Sequence, residues 1–463
     1  MKARPFMWSI KPNAVRSIHL GIFNRFPLAQ VAEAVEDHDF KGWLKRRGEN
    51  EACTALMIGQ SSNGRGLFAL RPILAGDRLI KISRKLVITT DRLHYRLKDH
   101  LQESISDCAK LALLILSEQC AGQASEWHPY MKCLPQCGAL HNTILWSEEE
   151  LEFLRQSSGT FRQSMEYRTK IHEEFAAIQQ VIQQCPELFG RGISYSDFLH
   201  AYAVVKSRAW GIDEENTTGL VPFVDFLNHD ARCQSFLSFD NELKYAEVFA
   251  DRDYGFGEQV FINYGKYGND ALATMFGFTL ESNPYDQVEF WIGPSENDVL
   301  WKLRSELLQS HGMPILRRDG VSNDTGSYFV IKKVRNITGQ GKGIPQSLRA
   351  FARVLCADSK EELIYLERMA SEGDGRLARE AFKDKRKELQ AMLLLLTHLN
   401  ALIEDYISAL SALGMAQDYE DRKRQLISVR QEMVNNILEG ELTILHSAAD
   451  WLRHYCLGLD SLS

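Results

Sequence analysis

Two short polar motifs end apolar, strand-like segments near the middle of the chain: Asp225-Phe226-Leu227-Asn228-His229 and, about 35 residues later, Ile262-Asn263-Tyr264-Gly265. A third motif lies upstream, where the turn cluster Asn63-Gly64-Arg65-Gly66 precedes the apolar Leu67-Phe68-Ala69. A Gly-x-Gly turn or an Asn-His pair is uninformative alone, because turns and exposed histidines are common. The three motifs in this order and spacing are far more specific.

The composition is that of a globular protein. The chain has 463 residues, 44% of them hydrophobic and 25% charged, with a formal net charge of -7. The chain has no excess of lysine and arginine of the kind that nucleic-acid binding usually needs. No continuous apolar run approaches the ~20 residues of a membrane-spanning helix. Nine cysteines are scattered, and only Cys133 and Cys137 are close. We therefore expect reduced thiols, no metal site, and neither nucleic acid nor membrane as partner.

The first 32 residues form a basic N-terminal extension. They contain five lysines and arginines, interleaved aromatic residues and no acid before Glu33. An acid-poor, arginine-containing start is typical of an organelle transit peptide, but a solvated basic tail has the same composition. The sequence therefore predicts an intracellular protein, either in a chloroplast or mitochondrion or in the cytoplasm or nucleus.

Apolar spacing predicts strands first and helices later. Alternating or β-rich segments predict strands at about 67–70, 79–82, 220–227, 243–249 and 259–262. Helical spacing predicts helices at 107–120, 148–185, 194–210, 385–410 and 421–455. From about residue 295 onward the pattern is almost purely helical, which places a domain boundary near 290–300.

With two further segments, these motifs resemble one family. The segments are Ser125-Glu126-Trp127-His128-Pro129-Tyr130 and Phe276-Gly277-Phe278, and Ser207-Arg208-Ala209-Trp210 precedes the Asp225 motif. The order is similar to that of SET-domain methyltransferases of the Rubisco large-subunit methyltransferase type. The resemblance runs from about residue 40 to the C-terminus.

The resemblance implies an α+β fold in three parts. Residues 1–32 would be the N-terminal extension, and 33–290 a SET domain split by a helical insertion at about 95–205. Residues 291–463 would be an all-α substrate-binding domain. The insertion and this domain would close the substrate channel and bind a protein substrate, while the oligomeric state stays open.

The resemblance also assigns site residues. Asn63, Gly64 and Arg65 would offer backbone contacts to S-adenosyl-L-methionine, which glycine permits because it lacks a Cβ. Asn228 would bind the amino-acid end of this cofactor and His229 the adenine. Arg208, Asp225, Tyr245 and Phe276 would line the substrate side of the pocket, although Arg208 could equally serve only as the ion-pair partner of Asp225.

Methyl transfer explains the tyrosine of the second motif. The reaction needs a neutral nitrogen lone pair held in line with the methyl–sulfur bond. A tyrosine hydroxyl can orient that nitrogen, and Tyr264 fits this catalytic role as well as a place beside the cofactor. Many family members carry a second tyrosine where this chain has Phe276.

We therefore predict a protein-lysine N-methyltransferase that acts on a non-histone protein. Because of Phe276, a histidine acceptor is the alternative within the enzyme class. A catalytically silent SET-fold protein that binds a partner is the alternative outside it.

Overall fold

The computed structural model describes residues 38–49, 55–61, 64–190, 192–213, 217–240, 244–294, 298–317, 325–416 and 424–460. The predicted N-terminal extension, 1–32, and the candidate residue Asn63 lie outside these ranges. The described chain is a mixed α and β protein with a helical C-terminal region, so the predicted α+β class is confirmed.

The described strands are short. They are β1 Leu56–Ser61, β2 Gly64–Ala69, β3 Arg78–Ser83, β4 Ile88–Thr89, β5 Ala209–Gly211, β6 Thr218–Leu220, β7 Asn228–His229, β8 Leu237–Asp240, β9 Tyr245–Phe249, β10 Gln259–Ile262, β11 Gln287–Ile292, β12 Leu316–Arg317 and β13 Thr325–Lys332. Within the described ranges they form four sheets, ordered β1-β2-β10-β7, β3-β9-β8, β4-β6-β5 and β11-β13-β12.

Helices fill the predicted insertion and most of the C-terminal region. They are α1 His38–Arg46, α2 Tyr95–His100, α3 Asp107–Ala121, α4 His128–Cys133, α5 Glu148–Glu152, α6 Ser158–Gln184, α7 Pro186–Phe189, α8 Tyr195–Arg208, α9 Asn269–Ala271, α10 Trp301–Ser310, α11 Gln346–Leu355, α12 Lys360–Glu372, α13 Lys385–Ala416 and α14 Arg424–Asp460. Helices α2 to α8 lie between β4 and β5, as the resemblance implied.

Two helix starts in the insertion carry complete capping boxes. Ser147 accepts from the backbone of Glu150, whose side chain accepts from the Ser147 backbone, and Ser194 and Asp197 repeat the arrangement. Each box satisfies two backbone donors that a helix would otherwise leave unpaired. Polar residues thus fix where α5 and α8 begin, and α8 ends at Arg208 in the site.

Two sequence predictions about strands are wrong. The segment 220–227 is not a strand beyond Leu220: Pro222 cannot donate a ladder hydrogen bond, Phe223 has a φ of 76°, and a 3₁₀ turn follows at Val224–Phe226. The C-terminal region is not all-helical, because β11 and β13 pair over six residues, from Gln287 with Lys332 to Ile292 with Ser327.

Two hydrophobic cores hold the chain together. The first joins strands of the N-terminal half with helices α3, α6 and α8, and the second belongs to the C-terminal region. The second core also includes Trp146, Leu151 and Leu154 from the segment around α5 and Ala273 from the turn after α9. The two halves of the chain therefore share apolar packing, whose burial stabilises them as one body.

Helix α13 runs through the second core. By length and composition alone, its segment Lys385–Leu413 could cross a membrane. Core helices meet the same criterion; here Met392, Leu395 and Leu399 are almost fully buried in the core, whereas Leu393 and Ile407 are exposed and 22% of the segment is buried. Its apolar residues are separated by polar ones, so no continuous apolar run of membrane-spanning length marks the segment in the sequence.

Candidate active site

A cavity of about 500 Å³ lies where the three polar motifs of the sequence meet. Its walls come from the start of β2, the end of α8, the 3₁₀ turn before β7, the loop after β10, and the π-helical turn Leu272–Phe276. Eight residues predicted from the sequence line it: Gly64, Arg65, Arg208, Asp225, Asn228, His229, Tyr264 and Phe276.

The Asn-His and Asn-Tyr-Gly motifs meet because their strands are neighbours. β7 and β10 pair in parallel, with Asn228 opposite Phe261 and His229 opposite Ile262. Tyr264, just beyond β10, donates its backbone N–H to His229 Nδ1 at 3.1 Å. Its hydroxyl donates to the Leu227 carbonyl at 2.6 Å. Main-chain geometry therefore fixes the position of the Tyr264 side chain.

Glycines at the β1–β2 hairpin let backbone approach the cavity. Gly64 has a φ of 82°, which favours glycine. A Cβ on Gly66 would lie 2.5 Å from Gln259 Nε2 and 3.0 Å from Asn228 Nδ2, so no larger residue fits without a shift. Asn228 Nδ2 also donates to the Arg65 carbonyl at 3.3 Å. The hairpin and β7 thus form one polar corner.

A buried ion pair forms the floor of the cavity. Arg208 Nη1 donates to the Asp225 carbonyl at 2.6 Å and lies 3.3 Å from Asp225 Oδ2. Tyr130 donates its hydroxyl to the same carboxylate oxygen at 2.9 Å. Burial raises the pKa of Asp225, and the charge of Arg208 opposes that shift. Both interpretations of Arg208 therefore apply, since it pairs with Asp225 and also lines the cavity.

Several buried polar atoms of the lining residues have no hydrogen-bond partner within the described part of the chain. They are Asp225 Oδ1, Arg208 Nε, His229 Nε2 and His141 Nδ1. An unpaired buried polar atom costs free energy, so such atoms mark where a polar ligand is accommodated. A carboxylate oxygen together with guanidinium and imidazole nitrogens suits a ligand with an ammonium, a carboxylate and a heterocycle, which is the composition of S-adenosylmethionine.

Aromatic rings surround the partly buried Tyr264. The ring centroids of His229, Phe276 and Trp210 lie 5.1, 5.0 and 5.5 Å from that of Tyr264. Burial raises the pKa of Tyr264 to about 12. The phenol therefore stays protonated throughout the physiological pH range.

A second cavity, of about 790 Å³, also has Tyr264 in its wall. Trp210, Cys233, Phe236, Lys266 and Tyr285 are among its lining residues, as is Tyr264 itself. Tyr264 is thus shared by both cavities. The cavity of about 500 Å³ is the smaller cavity, and that of about 790 Å³ is the wider cavity.

One predicted residue does not reach either cavity. Tyr245 lies on β9 opposite Ser83, and its ring sits under Lys81 Nζ at 4.0 Å. It is not among the described residues that line the two cavities.

Other residues of the site could not be assigned from the sequence. Trp210 and Tyr130 lie in segments that carry the family resemblance, but nothing in those segments indicates a role for them. His141 and the residues of α14 that line the smaller cavity had no motif to reveal them.

Comparisons with known proteins match both parts of the chain. The family model described as "SET domain" matches residues 64–265, and the one described as "Rubisco LSMT substrate-binding" matches residues 295–445. Among solved structures, Rubisco LSMT bound to sinefungin and monomethyllysine is 21% identical, with a TM-score of 0.70 over 93% of this chain and 94% of that one. Rubisco LSMT bound to AdoMet is 22% identical, with a TM-score of 0.64 over 92% and 93%.

Relatives with similar sequences are named for another activity. Actin-histidine N-methyltransferase of Callithrix jacchus is 26% identical over 89% of this chain and 68% of its own length. The Homo sapiens protein of that name gives the same values, and that of Gallus gallus is 26% identical over 72% of this chain and 55% of its own. The chain therefore spans about half to two thirds of the relatives' length.

Proposed function

The chain is a SET-domain protein of the Rubisco LSMT type, with a SET domain followed by a substrate-binding domain, and from that premise we propose that it methylates a side-chain nitrogen of a protein with S-adenosylmethionine as methyl donor. The observation that carries the proposal is Tyr264, whose ring is shared by the two cavities and whose hydroxyl is hydrogen-bonded to Leu227.

The smaller cavity is the proposed cofactor site. Asn228 and the backbone at Gly64 and Arg65 would hold the amino-acid end, and His229 with the aromatic rings beside it would hold the adenine. Asp225 Oδ1 and Arg208 Nε, which lack partners, complete a set of donors and acceptors for a zwitterion. When bound, S-adenosylmethionine supplies an electrophilic methyl group on a sulfonium.

The wider cavity is the proposed acceptor site, and we propose lysine as the acceptor. The Tyr264 hydroxyl gives its one hydrogen to the Leu227 carbonyl, so its oxygen can only accept further hydrogen bonds. A neutral lysine amine can donate one N–H to that oxygen and keep its lone pair for the methyl group. The attacking nitrogen of an imidazole carries no hydrogen and could not use this acceptor.

The apolar walls support the same acceptor chemistry. A lysine has an unperturbed pKa of about 10.4, so its reactive neutral form is scarce at pH 7. Trp210, which contacts the Tyr264 ring, and Phe236 line the wider cavity, and their apolar surface disfavours an ammonium and lowers its pKa. Desolvation would therefore increase the fraction of the nucleophilic form.

A histidine acceptor is the second candidate, because the curated relatives are actin-histidine N-methyltransferases. Histidine has an unperturbed pKa near ~6.5, so it needs no desolvation to be neutral at pH 7. A pocket walled by aromatic rings can also stack on an imidazole. Purified actin is the direct probe of this candidate.

Methyl-label transfer to a protein extract tests the proposal. Labelled S-adenosylmethionine and purified enzyme are incubated with untreated, lysine-blocked and histidine-blocked extract, and the labelled protein is identified by mass spectrometry. We expect label in a single non-histone protein, lost on lysine blocking and retained on histidine blocking. Loss on histidine blocking, with label in actin, would favour the second candidate. Absence of both label and cofactor binding would refute the enzyme assignment.

A further inference from the structure

We propose that the C-terminal domain completes the cofactor site: one face of α14 closes the smaller cavity, and the Glu432 carboxylate accepts hydrogen bonds from the adenosine half of S-adenosylmethionine. This inference rests on the proposed function and adds a ligand-binding residue from outside the SET domain.

The face in question is a regular helical stripe. Val429, Glu432, Met433 and Asn436 all line the cavity that also contains Asn228 and His229. Their spacing of three, four and seven residues places them on one side of a helix. Met433 is buried, whereas Glu432 is exposed to the cavity. The stripe therefore presents an apolar base with one carboxylate on it.

Contacts on either side of the stripe hold it against the SET part. Asn436 Nδ2 donates to Thr279 Oγ1 at 3.0 Å, three residues beyond Phe276. Arg430 pairs with Glu150 of the insertion at 2.5 Å, and both side chains are largely buried. One turn after the stripe, Glu441 lies 2.8 Å from the Ser157 hydroxyl. The helix is thus anchored at three points and forms a fixed wall of the cavity.

Glu432 is a carboxylate on the cavity wall. Among the described residues it makes no ion pair or hydrogen bond, whereas the other carboxylate that lines the cavity, Asp225, is bound by Arg208 and Tyr130. An exposed carboxylate in the wall of a ligand cavity is free to accept hydrogen bonds, and those to a charged acceptor are the stronger kind.

The position of the stripe indicates which half of the cofactor it faces. Asn436 contacts Thr279, next to the aromatic pair Phe276 and Phe278, whereas the polar corner at Gly64 and Asn228 is assigned to the amino-acid end. The adenosine half carries hydrogen-bond donors, namely two ribose hydroxyls and the N6 amino group. A carboxylate is the matching acceptor for either.

Isothermal titration with S-adenosylhomocysteine tests the inference. Glu432→Gln keeps the size of the side chain and removes its charge. Losing one charge-assisted hydrogen bond at an exposed site should weaken binding about tenfold. Glu439→Gln is the matched control, because Glu439 is an exposed glutamate on the same helix that lines a different cleft. It should bind like the wild type.

S-inosylhomocysteine, which lacks the N6 amino group, separates the two donors. If Glu432 binds the ribose, Glu432→Gln loses affinity by the same factor for S-adenosylhomocysteine and for S-inosylhomocysteine. If Glu432 binds the amino group, the wild type already binds the inosine ligand more weakly and the variant loses nothing further. Either outcome supports the inference.

Unchanged affinity of Glu432→Gln for S-adenosylhomocysteine would overturn the inference. So would an equal loss in Glu439→Gln, because that would show a general charge effect. A wild-type protein that does not bind the ligand at all would instead contradict the proposed function. Melting curves without ligand should coincide for the three proteins, since both glutamates are exposed.

Discussion

Replacing Tyr264 with phenylalanine removes one oxygen atom from the wall shared by the two cavities. The ring keeps its contacts with His229, Phe276 and Trp210, because all three are made by ring faces and edges. The change deletes the hydrogen bond of 2.6 Å to the Leu227 carbonyl and the acceptor proposed for the substrate nitrogen. The variant therefore tests the hydroxyl separately from the ring.

The structure gives a size for each effect. The carbonyl of the buried Leu227 loses its hydrogen-bond donor, so the free energy of unfolding should fall by about 1–2 kcal/mol. Losing one preorganised hydrogen bond in the transition state costs about 2.7–4 kcal/mol, which corresponds to a rate lower by roughly a hundred- to a thousandfold. Cofactor affinity should change much less, because the ring still fills its place.

Single-turnover methyl transfer measures the rate, and titration with S-adenosylmethionine measures the affinity. Tyr245→Phe is the matched control: it removes a tyrosine hydroxyl on β9, away from the residues that line either cavity, and should react at the wild-type rate. A Tyr264→Phe protein that reacts as fast as the wild type would refute the role of this hydroxyl. A reduced rate of methyl transfer in Tyr245→Phe would instead assign the role to the hydroxyl of Tyr245 on β9.

Four further outcomes are expected. Since the pKa of Tyr264 is about 12, the pH dependence of the rate should report the acceptor: we expect a rise toward pH ~10 for lysine, whereas levelling above pH ~7 would indicate histidine. Burial raises the pKa of Glu441 to about 8 from 4.5, so the stability that it contributes is complete below pH ~4.5 and is lost as the pH rises through 8. In thermal melts between pH 5 and 9, the wild-type free energy of unfolding should therefore fall with pH by about 1–3 kcal/mol more than that of Glu441→Gln. Phe276→Tyr restores a second hydroxyl beside Tyr264 and should raise the rate or change the number of methyl groups added to lysine, as mass spectrometry would show; a lower rate would favour histidine. A reporter fused to residues 1–32 should enter mitochondria or chloroplasts if they are a transit peptide, and a diffuse cytosolic signal would exclude it.

The central part of the fold could be predicted because local signals agree there. The turn before Leu67 begins β2, the alternating 79–82 lies in β3, and 259–262 is β10. At the two capping boxes, Ser147 and Ser194 mark where helices start. Such signals depend on residues within one turn of each other, so a sequence displays them directly.

The core of the site could also be predicted, since its residues lie in or directly after two strands that pair. Asn228, His229 and Tyr264 come together because β7 and β10 are neighbours in one sheet. Family resemblance supplied that neighbourhood, which spacing alone does not contain. Tyr245 shows the limit of such prediction. Alternation of apolar residues predicts that position 245 lies on a strand, but it does not predict which cavity, if any, the side chain lines.

Long-range packing accounts for what the sequence did not show. Helical periodicity identifies the buried face of α14, but the partner of that face is a matter of tertiary structure. Val429, Glu432, Met433 and Asn436 have the spacing of ordinary core positions, and their partners are some 150–370 residues earlier in the chain. The sheet formed by β11 and β13 was missed because its pairing likewise depends on residues far apart in sequence.

A cofactor cavity with walls from both ends of the chain has a thermodynamic consequence. A ligand that contacts the SET motifs and α14 at once adds its binding free energy to the contacts between them, such as Arg430 with Glu150 and Asn436 with Thr279. By reciprocity, any change that strengthens those contacts also strengthens ligand binding. If the substrate-binding domain engages a protein through its other faces, that engagement and cofactor binding are coupled through α14. The helix is then both a wall of the site and the link between its two ligands.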